Sequence, residues 1–171
     1  GWLEPFDPMW TPNTTDAEGR RYCFGAQPQI AQWNLARLAG ALLPLVPDQS
    51  ALEAGLDLYR ETFQNSYRRM YADKLGLVAL DRDGDDALLG DLFSTLDAAE
   101  TDMTLLFRAL AEVPISLQAT DEDLLGPLRP AFYATAGPSA AGAGEWVGWL
   151  RRFTARLRAD ARPQGLRQTA M

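Results

Sequence analysis

Histidine is absent from this 171-residue chain, and cysteine occurs only once, as Cys23. Without histidine the chain lacks the commonest general base, the Ser-His-Asp triad and the usual nitrogen ligands of zinc. A single cysteine cannot form a disulfide within the chain, so a reducing compartment is allowed. These absences argue against a triad hydrolase and against an ordinary zinc site.

Long apolar runs are also missing. No stretch approaches the roughly 20 apolar residues that are needed to cross a bilayer. The first residues, GWLEPFDP, have neither the basic flank nor the apolar centre of a signal peptide. We therefore expect no membrane partner.

Basic residues are the minority charge, 16 against 23 acidic residues, which gives a net charge of −7. Residues 81–123 contain twelve acidic and two basic side chains, whereas residues 151–171 contain six arginines and one aspartate. Nucleic-acid binding needs a continuous basic surface, so we expect no nucleic-acid partner. The short basic tail is expected to be solvated or paired within the fold.

Alternation of polar and apolar residues over a strand length is absent, and the apolar spacing favours helices throughout. We predict an all-α fold, in which an irregular segment at 1–27 precedes a bundle of about six helices at 28–171 that forms one compact unit. The first helix, from Pro28 to about Leu43, carries apolar residues around most of its circumference. It is therefore expected to be buried on more than one side.

Local signals predict where several helices begin and end. Ser50 and Glu53 form a capping-box pattern at the start of the second helix, and Gly76 suits its C-terminal turn. Thr120 is expected to cap a short helix. The run GPSAAGAG at 137–144 reads as a loop, and the last helix is predicted from about 145 to 161, with its arginines mostly facing away from its apolar stripe.

Two clusters allow alternative interpretations. Asp81, Asp83 and Asp85 have the spacing of the first three ligands of an EF-hand, but Asp86 and Leu92 replace its required glycine and glutamate. Helix capping is the favoured interpretation of these aspartates, and a carboxylate metal site is the alternative. Cys23 lies beside arginines that could activate a thiol, yet a small packed side chain is favoured.

The segment from residue 13 to residue 43 reads NTTDAEGRRYCFGAQPQIAQWNLARLAGALL, a polar loop followed by an apolar helix. The aromatic and apolar groups that precede it are expected to pack on the helical body or on a further part of a parent protein. Polar loops commonly satisfy their own backbone groups, so a rigid structural loop is one interpretation. The other is a functional loop.

Nearly the whole chain, and residues 1–43 most strongly, resembles the selenoprotein O (YdiU-type) family of kinase-like proteins. The positions that carry the resemblance are Phe6, Asp7, Asn13, Asp16, Gly19, Arg20 or Arg21, Tyr22, Gln27, Pro28, Trp33, Asn34, Leu35, Arg37, Leu38 and Ala39. An additional arginine before Tyr22 departs from the family pattern, as does Pro12, where some members carry a redox-active cysteine. With Cys23 alone, redox control of that kind is in doubt.

The resemblance implies a parent pseudokinase that uses ATP and magnesium to transfer AMP to serine, threonine or tyrosine hydroxyls of proteins. It further implies that the catalytic and metal-binding residues precede Gly1, so that no catalytic, cofactor-binding or metal residue is expected here. Asn13, Asp16, Gly19, Arg20, Arg21 and Tyr22 would then lie in an activation-loop-like segment with a structural or regulatory role.

We therefore expect a helical C-terminal region of an adenylyltransferase from the bacterial cytoplasm, inactive by itself. Its expected partners are the missing N-terminal kinase-like portion and the protein substrates of the parent. The alternative is a non-enzymatic helical module that binds a protein partner through its tryptophan-rich N-terminal loop.

Overall fold

A computed structural model describes residues 5–11, 19–134, 138–160 and 162–171 of the chain. This part of the molecule is helical and contains no β-strand, apart from one isolated antiparallel bridge between Thr101 and Phe132. The helices are α1 Gln27–Leu42, α2 Gln49–Lys74, α3 Asp85–Ala98, α4 Met103–Leu110, α5 Asp121–Leu125, α6 Ala140–Asp160 and α7 Gln164–Ala170. Two 3₁₀ helices, Phe24–Ala26 and Gly126–Ala131, precede α1 and follow α5. The predicted all-α class is confirmed.

The fold divides into two compact units. The large unit comprises Gly1–Phe6 and Arg68–Met171, and the small unit comprises Asp7–Tyr67. The boundary between them falls within α2. The predicted division of this chain into a segment at 1–27 and one helical unit at 28–171 stays a prediction.

The core of the large unit is built around α6. Trp146, Trp149, Leu150 and Phe153 are fully buried, and they lie three or four residues apart along one face of the helix, as the apolar stripe predicted. The rings of Trp149 and Phe153 stack with centroids 5.0 Å apart, and Trp149 Nε1 donates to the carbonyl of Leu88 on α3 at 2.8 Å. This bond satisfies the one polar atom of a large buried ring.

The N-terminal segment joins the core of the large unit through Phe6. The Phe6 N–H donates to the carbonyl of Thr101 at 2.9 Å, and its ring lies 5.8 Å from that of Phe93. Tyr71 contacts the same Phe93 ring edge-on at 5.3 Å. Phe6 therefore packs on the helical body, as the sequence led us to expect for part of this segment.

The small unit has a much thinner core, made by α1 and the first part of α2. Tyr59 on α2 donates its hydroxyl to the carbonyl of Pro28 at 3.1 Å, and its ring stacks on that of Phe63. The expectation that α1 is buried on more than one side is wrong for this structure. Trp33 is 42% exposed and Leu38 is 54% exposed, because the small unit supplies too few apolar side chains to cover them.

Two of the predicted helix ends are confirmed. Thr120 and Asp123 form a reciprocal capping box at α5. At the end of α2, Gly76 has φ +66°, and its N–H and that of Leu77 donate to Asp73 and Ala72 at 2.9 Å each. These paired bonds satisfy carbonyls at the helix end and fix the turn into the buried Leu77.

Two other predictions of helix ends are wrong. Asp48, the residue before α2, caps the helix in place of Ser50: its carboxylate accepts the N–H of Ala51 at 3.3 Å and the hydroxyl of Ser50 at 2.6 Å. Helix α6 begins at Ala140, inside the run that was predicted to be a loop, because alanine favours helix strongly enough to offset the neighbouring glycines. No helix among the described residues is long and apolar enough to span a bilayer.

Candidate functional site

The structure describes some of the predicted site residues and not others. Asn13 and Asp16 lie outside the described residues, whereas Gly19, Arg20, Arg21 and Tyr22 lie within them. These four form the turn that leads into the 3₁₀ helix before α1. The structure therefore places two thirds of the predicted site at the N-terminal end of α1.

Hydrogen bonds to the backbone hold this turn in place. The Cys23 N–H donates to the carbonyl of Arg20 at 3.0 Å, and Gln27 Nε2 donates to the carbonyl of Tyr22 at 2.6 Å. Arg20 has φ +42°, a left-handed conformation that costs a residue other than glycine about 1–2 kcal/mol. Its guanidinium reaches the carbonyl of Met9 at 3.4 Å. A loop held in this way positions its side chains more firmly than an open one.

A second set of bonds joins the turn to the preceding segment. The Phe24 N–H donates to the carbonyl of Trp10 at 2.9 Å, and the Gly25 N–H donates to that of Pro8 at 2.8 Å. A Cβ on Gly25 would lie 3.2 Å from the same Pro8 oxygen, so glycine permits this close approach. Cys23 is 4% exposed, which confirms that it is a packed side chain.

Two arginines lie at the ring of Trp33. The guanidinium carbons of Arg21 and Arg37 are 5.5 Å and 5.0 Å from its centroid, within the range of a cation–π interaction. Arg21 comes from the loop and Arg37 from the next turn of α1. Trp33 thus ties the predicted site loop to α1, a role that its place in the sequence motif alone could not reveal.

The loop and α1 line an open surface pocket of about 710 Å³. It is lined by Met9, Gly19, Arg20, Arg21, Cys23, Ala26, Gln29, Ile30 and Trp33. These lining residues present two guanidinium groups and one amide above an apolar floor, with no carboxylate or imidazole among them. Such a surface can hold an anionic or planar group by charge and contact.

Within the acidic run at 81–86, Asp85 makes structural contacts. Asp85 is 1% exposed and accepts from Arg156 Nε at 2.7 Å and from the N–H of Arg82 at 2.9 Å. Asp85 and Asp86 occupy the first turn of α3, where negative charge is favoured, although Gly84 is the N-cap. Among the described residues, no three His, Cys, Asp or Glu side chains come together as metal ligands would. The metal alternative thus gains no support.

Arg156 forms a buried ion network that the sequence did not predict. Its Nη1 donates to Asp160 Oδ1 at 2.9 Å and its Nη2 to the carbonyl of Ala79 at 2.9 Å, in addition to its bonds with Asp85. Only 10% of its side chain is exposed, so this arginine of the last helix is enclosed by the fold. Its i,i+4 spacing from Asp160 was the available signal.

This network shifts the protonation of its carboxylates. Burial alone would raise the pKa of Asp85, but the hydrogen bonds from Arg156 and the Arg82 N–H outweigh it and hold the pKa below its usual value. Burial likewise opposes the shift at Asp160, where the Val78 N–H and Arg156 lower the pKa. Both carboxylates are therefore ionised at neutral pH and act as structural anions rather than as proton donors.

Arg167, in the basic tail, is buried and hydrogen bonded within the fold rather than solvated. This residue is 2% exposed and its Nη2 donates to the carbonyl of Ala111 at 3.1 Å. Its Nε and Nη1 have no hydrogen-bond partner among the described residues. Burial lowers the pKa of Arg167, which reflects the cost of enclosing a charge that is only partly satisfied.

Comparison with known proteins gives a single family. The family model described as protein adenylyltransferase SelO matches residues 1–166. A protein nucleotidyltransferase YdiU from Nitrosospira multiformis is 50% identical over 191 residues, which cover 100% of this chain and 34% of that relative. The YdiU proteins of Rhodopirellula baltica and Xanthomonas axonopodis pv. citri are 43% and 46% identical, over 94% and 100% of this chain and 31% and 32% of their own lengths. The chain thus spans about a third of the length of the curated relatives it matches.

Proposed function

Because the chain belongs to the SelO family of protein adenylyltransferases, we propose that it forms the helical C-terminal region of such an enzyme. The parent protein would transfer AMP from ATP to serine, threonine or tyrosine hydroxyls of proteins and release pyrophosphate. The region itself would be inactive. The observation that carries the proposal is the family match across residues 1–166, which includes both the predicted site loop and α1.

The proposed role of the small unit is to present an activation-loop-like segment. The described part of that segment runs from Gly19 to Tyr22. Hydrogen bonds hold it at the start of α1, and the residues that follow it are hydrogen bonded to Pro8 and Trp10. Arg21 contacts the Trp33 ring of α1, so a movement of the loop would change a contact of the helix. This arrangement supports a positioning role for Arg20, Arg21 and Tyr22 rather than a catalytic one.

ATP and magnesium are proposed for the parent, but the described residues of this chain do not fit a site for them. A magnesium-nucleotide site needs converging carboxylates or other oxygen ligands and a cation near the phosphates. No such ligand group forms among the described residues, and Asp85 and Asp160 are bonded to Arg156. We therefore assign no catalytic step to this chain. The bacterial cytoplasm, which contains ATP, is the proposed location of the parent.

The test is transfer of a label from α-³²P-ATP to protein. We expect the full-length protein that contains this sequence to label a protein acceptor or itself in the presence of magnesium, and the 171-residue chain to label nothing. Calorimetry on the chain should also show no micromolar binding of ATP. Labelling by the isolated chain would overturn the proposal, and so would an intact, folded full-length protein that labels no protein and binds no ATP.

A second candidate function is a non-enzymatic module that binds a protein partner through the N-terminal loop. The observation that favours it is the exposure of Met9 at 48%, Trp10 at 39% and Phe24 at 45%. Apolar groups placed together at a surface often mark an interaction site. A gene that encodes little more than these 171 residues would favour this candidate, whereas a long kinase-like sequence upstream would favour the adenylyltransferase.

A further inference from the structure

Helix α1 leaves much of its circumference exposed. Leu35, Ala39 and Leu42 on one side are partly buried, and Ile30 near the start of the helix is buried. We name the exposed remainder the α1 face and define it as Trp33, Asn34, Ala36, Arg37, Leu38, Gly40 and Ala41. Two of these seven residues are polar, whereas a helix side that faces only solvent is usually mostly polar.

The α1 face continues into the chain that follows the helix. The N–H groups of Leu45 and Val46 both donate to the carbonyl of Leu42 at 2.8 Å, which fixes a tight turn at the helix end. Leu45 is 78% exposed, Leu43 41% and Val46 39%. The turn therefore extends the exposed apolar surface beyond the end of α1, and contiguous apolar surface of this kind marks a contact site.

The small residues of the α1 face would allow another segment to pack closely against the helix. A Cβ added at Gly40 would meet no atom within 4 Å, so nothing in this structure occupies the space above it. Glycine and alanine allow another segment to approach the backbone closely. Trp33 and Leu38 on the same face would then supply most of the buried apolar area.

We propose that the α1 face and the turn at 43–46 form the contact surface for the portion of the parent protein that lies outside this chain. The proposal rests on the proposed function, which places the chain in a longer SelO protein. The relatives it matches are about three times as long as the part they share with it. A covalently linked segment has an effective concentration in the millimolar range, so even a weak apolar contact would be occupied.

Charge disfavours a second copy of the chain as the occupant. A two-fold contact places the same patch of both copies together, so Arg37 would lie near Arg37 of the second copy. Like charges brought together at an interface disfavour association. The occupant we infer is instead an apolar segment that carries a carboxylate opposite Arg37.

The first test compares side-chain labelling by hydroxyl radicals in the 171-residue chain and in the full-length protein. We expect Trp33, Leu38 and Leu45 to react several-fold more slowly in the full-length protein. Leu117, which is 76% exposed in the large unit, is the internal control and should react at similar rates in both. Equal labelling of the α1 face in the two proteins would overturn the inference. Protection that appears in the isolated chain only as its concentration rises would also overturn it, in favour of self-association.

The second test uses Leu38→Asp, with Leu117→Asp as the matched control. Both side chains are exposed here, so neither variant should shift the melting temperature of the 171-residue chain noticeably. In the full-length protein, Leu38→Asp should lower the melting temperature by several degrees and Leu117→Asp should not. Equal melting of the two full-length variants would contradict the proposal. AMP transfer is measured separately: an active protein with an unprotected α1 face would refute this inference alone, and an inactive protein with a protected face would refute the proposed function alone.

Discussion

The two units differ in how much of their apolar surface they cover for themselves. In the large unit, α6 buries two tryptophans and a phenylalanine completely, and α3 buries Leu92 and Leu96 as fully. In the small unit, the buried apolar side chains among the described residues are Cys23 and Ile30. Hydrophobic burial is the main favourable term in folding, so we expect the large unit to carry most of the stability.

The two units also provide a buried ion network and a surface ion pair for comparison. The large unit encloses Arg156 between Asp85 and Asp160, with each group hydrogen bonded several times. In the small unit, the pair of Arg60 and Asp57 lies 2.7 Å apart at the surface, with about half or more of each side chain exposed. Surface pairs contribute little, whereas a broken buried pair is costly. We therefore expect the Arg60–Asp57 pair to stabilise the small unit much less than the Arg156 network stabilises the large unit.

The largest expected effect comes from comparing a tryptophan in each unit. Trp149→Ala removes a fully buried ring that stacks on Phe153 and its indole hydrogen bond to the Leu88 carbonyl, so it should cost about 3–5 kcal/mol of unfolding free energy. Trp33→Ala removes an exposed ring and should cost no more than about 1 kcal/mol. Urea unfolding followed by circular dichroism measures both, and similar costs would contradict the contrast between the units.

A slightly smaller effect is expected when the buried network loses its cation. Arg156→Met leaves Asp85 and Asp160 enclosed without their partner and should cost about 3 kcal/mol. Arg129→Met is the control, because Arg129 pairs with Glu122 at 2.8 Å on the surface and should contribute less than about 1 kcal/mol. Thermal and urea unfolding of the two variants would test this, and an equal loss in both would refute a structural role for the network.

Gly76→Ala should have an intermediate effect. Gly76 has φ +66°, and a Cβ there would lie 2.8 Å from the sulfur of Met171 and also press on the Arg167 side chain. We expect a loss of about 1–3 kcal/mol from the left-handed backbone and the crowding together. Gly90→Ala lies within α3, where a Cβ meets no atom within 4 Å, and should instead stabilise the protein by up to about 1 kcal/mol. Differential scanning calorimetry of the two variants distinguishes the sites.

The smallest expected effect is a dependence of stability on pH. The folded pKa values of Asp85 and Asp160 are lowered, so the unfolded chain binds more protons as the pH falls through the acidic range. Their stabilisation should be complete above about pH 5, where ordinary carboxyls are ionised in the unfolded chain too, and should be lost as the pH falls further. Asp85→Asn should flatten this dependence between pH 5 and pH 2, as urea unfolding at each pH would show. An unchanged slope in the variant would contradict the assignment.

Sequence signals that act within a few residues predicted the structure well. The Schellman turn at Gly76 and the capping box at Thr120 are confirmed because all their hydrogen bonds lie within one turn of chain. The apolar stripe of α6 is confirmed because its period alone defines the buried side. Even so, Asp48 replaced Ser50 as the cap of α2, since two neighbouring residues were both suited to that position.

Features that depend on distant residues could not be predicted in this way. The partner of Arg156 at Asp85 lies 71 residues away, and no local pattern connects them. The contact of Arg21 with Trp33 depends on how the site loop folds back onto α1. The exposure of α1 has the same origin: its apolar circumference predicted burial on more than one side, but the small unit does not supply the side chains that would cover it.

Native-state hydrogen exchange is the most direct test of the central claim, that the small unit is completed only within a longer SelO protein. In the 171-residue chain, the amides of α1 should exchange through openings of much lower free energy than those of α6. In the full-length protein, α1 should become strongly protected while α6 changes little. Protection of α1 that is already equal to that of α6 in the isolated chain, or that does not rise in the full-length protein, would contradict the account.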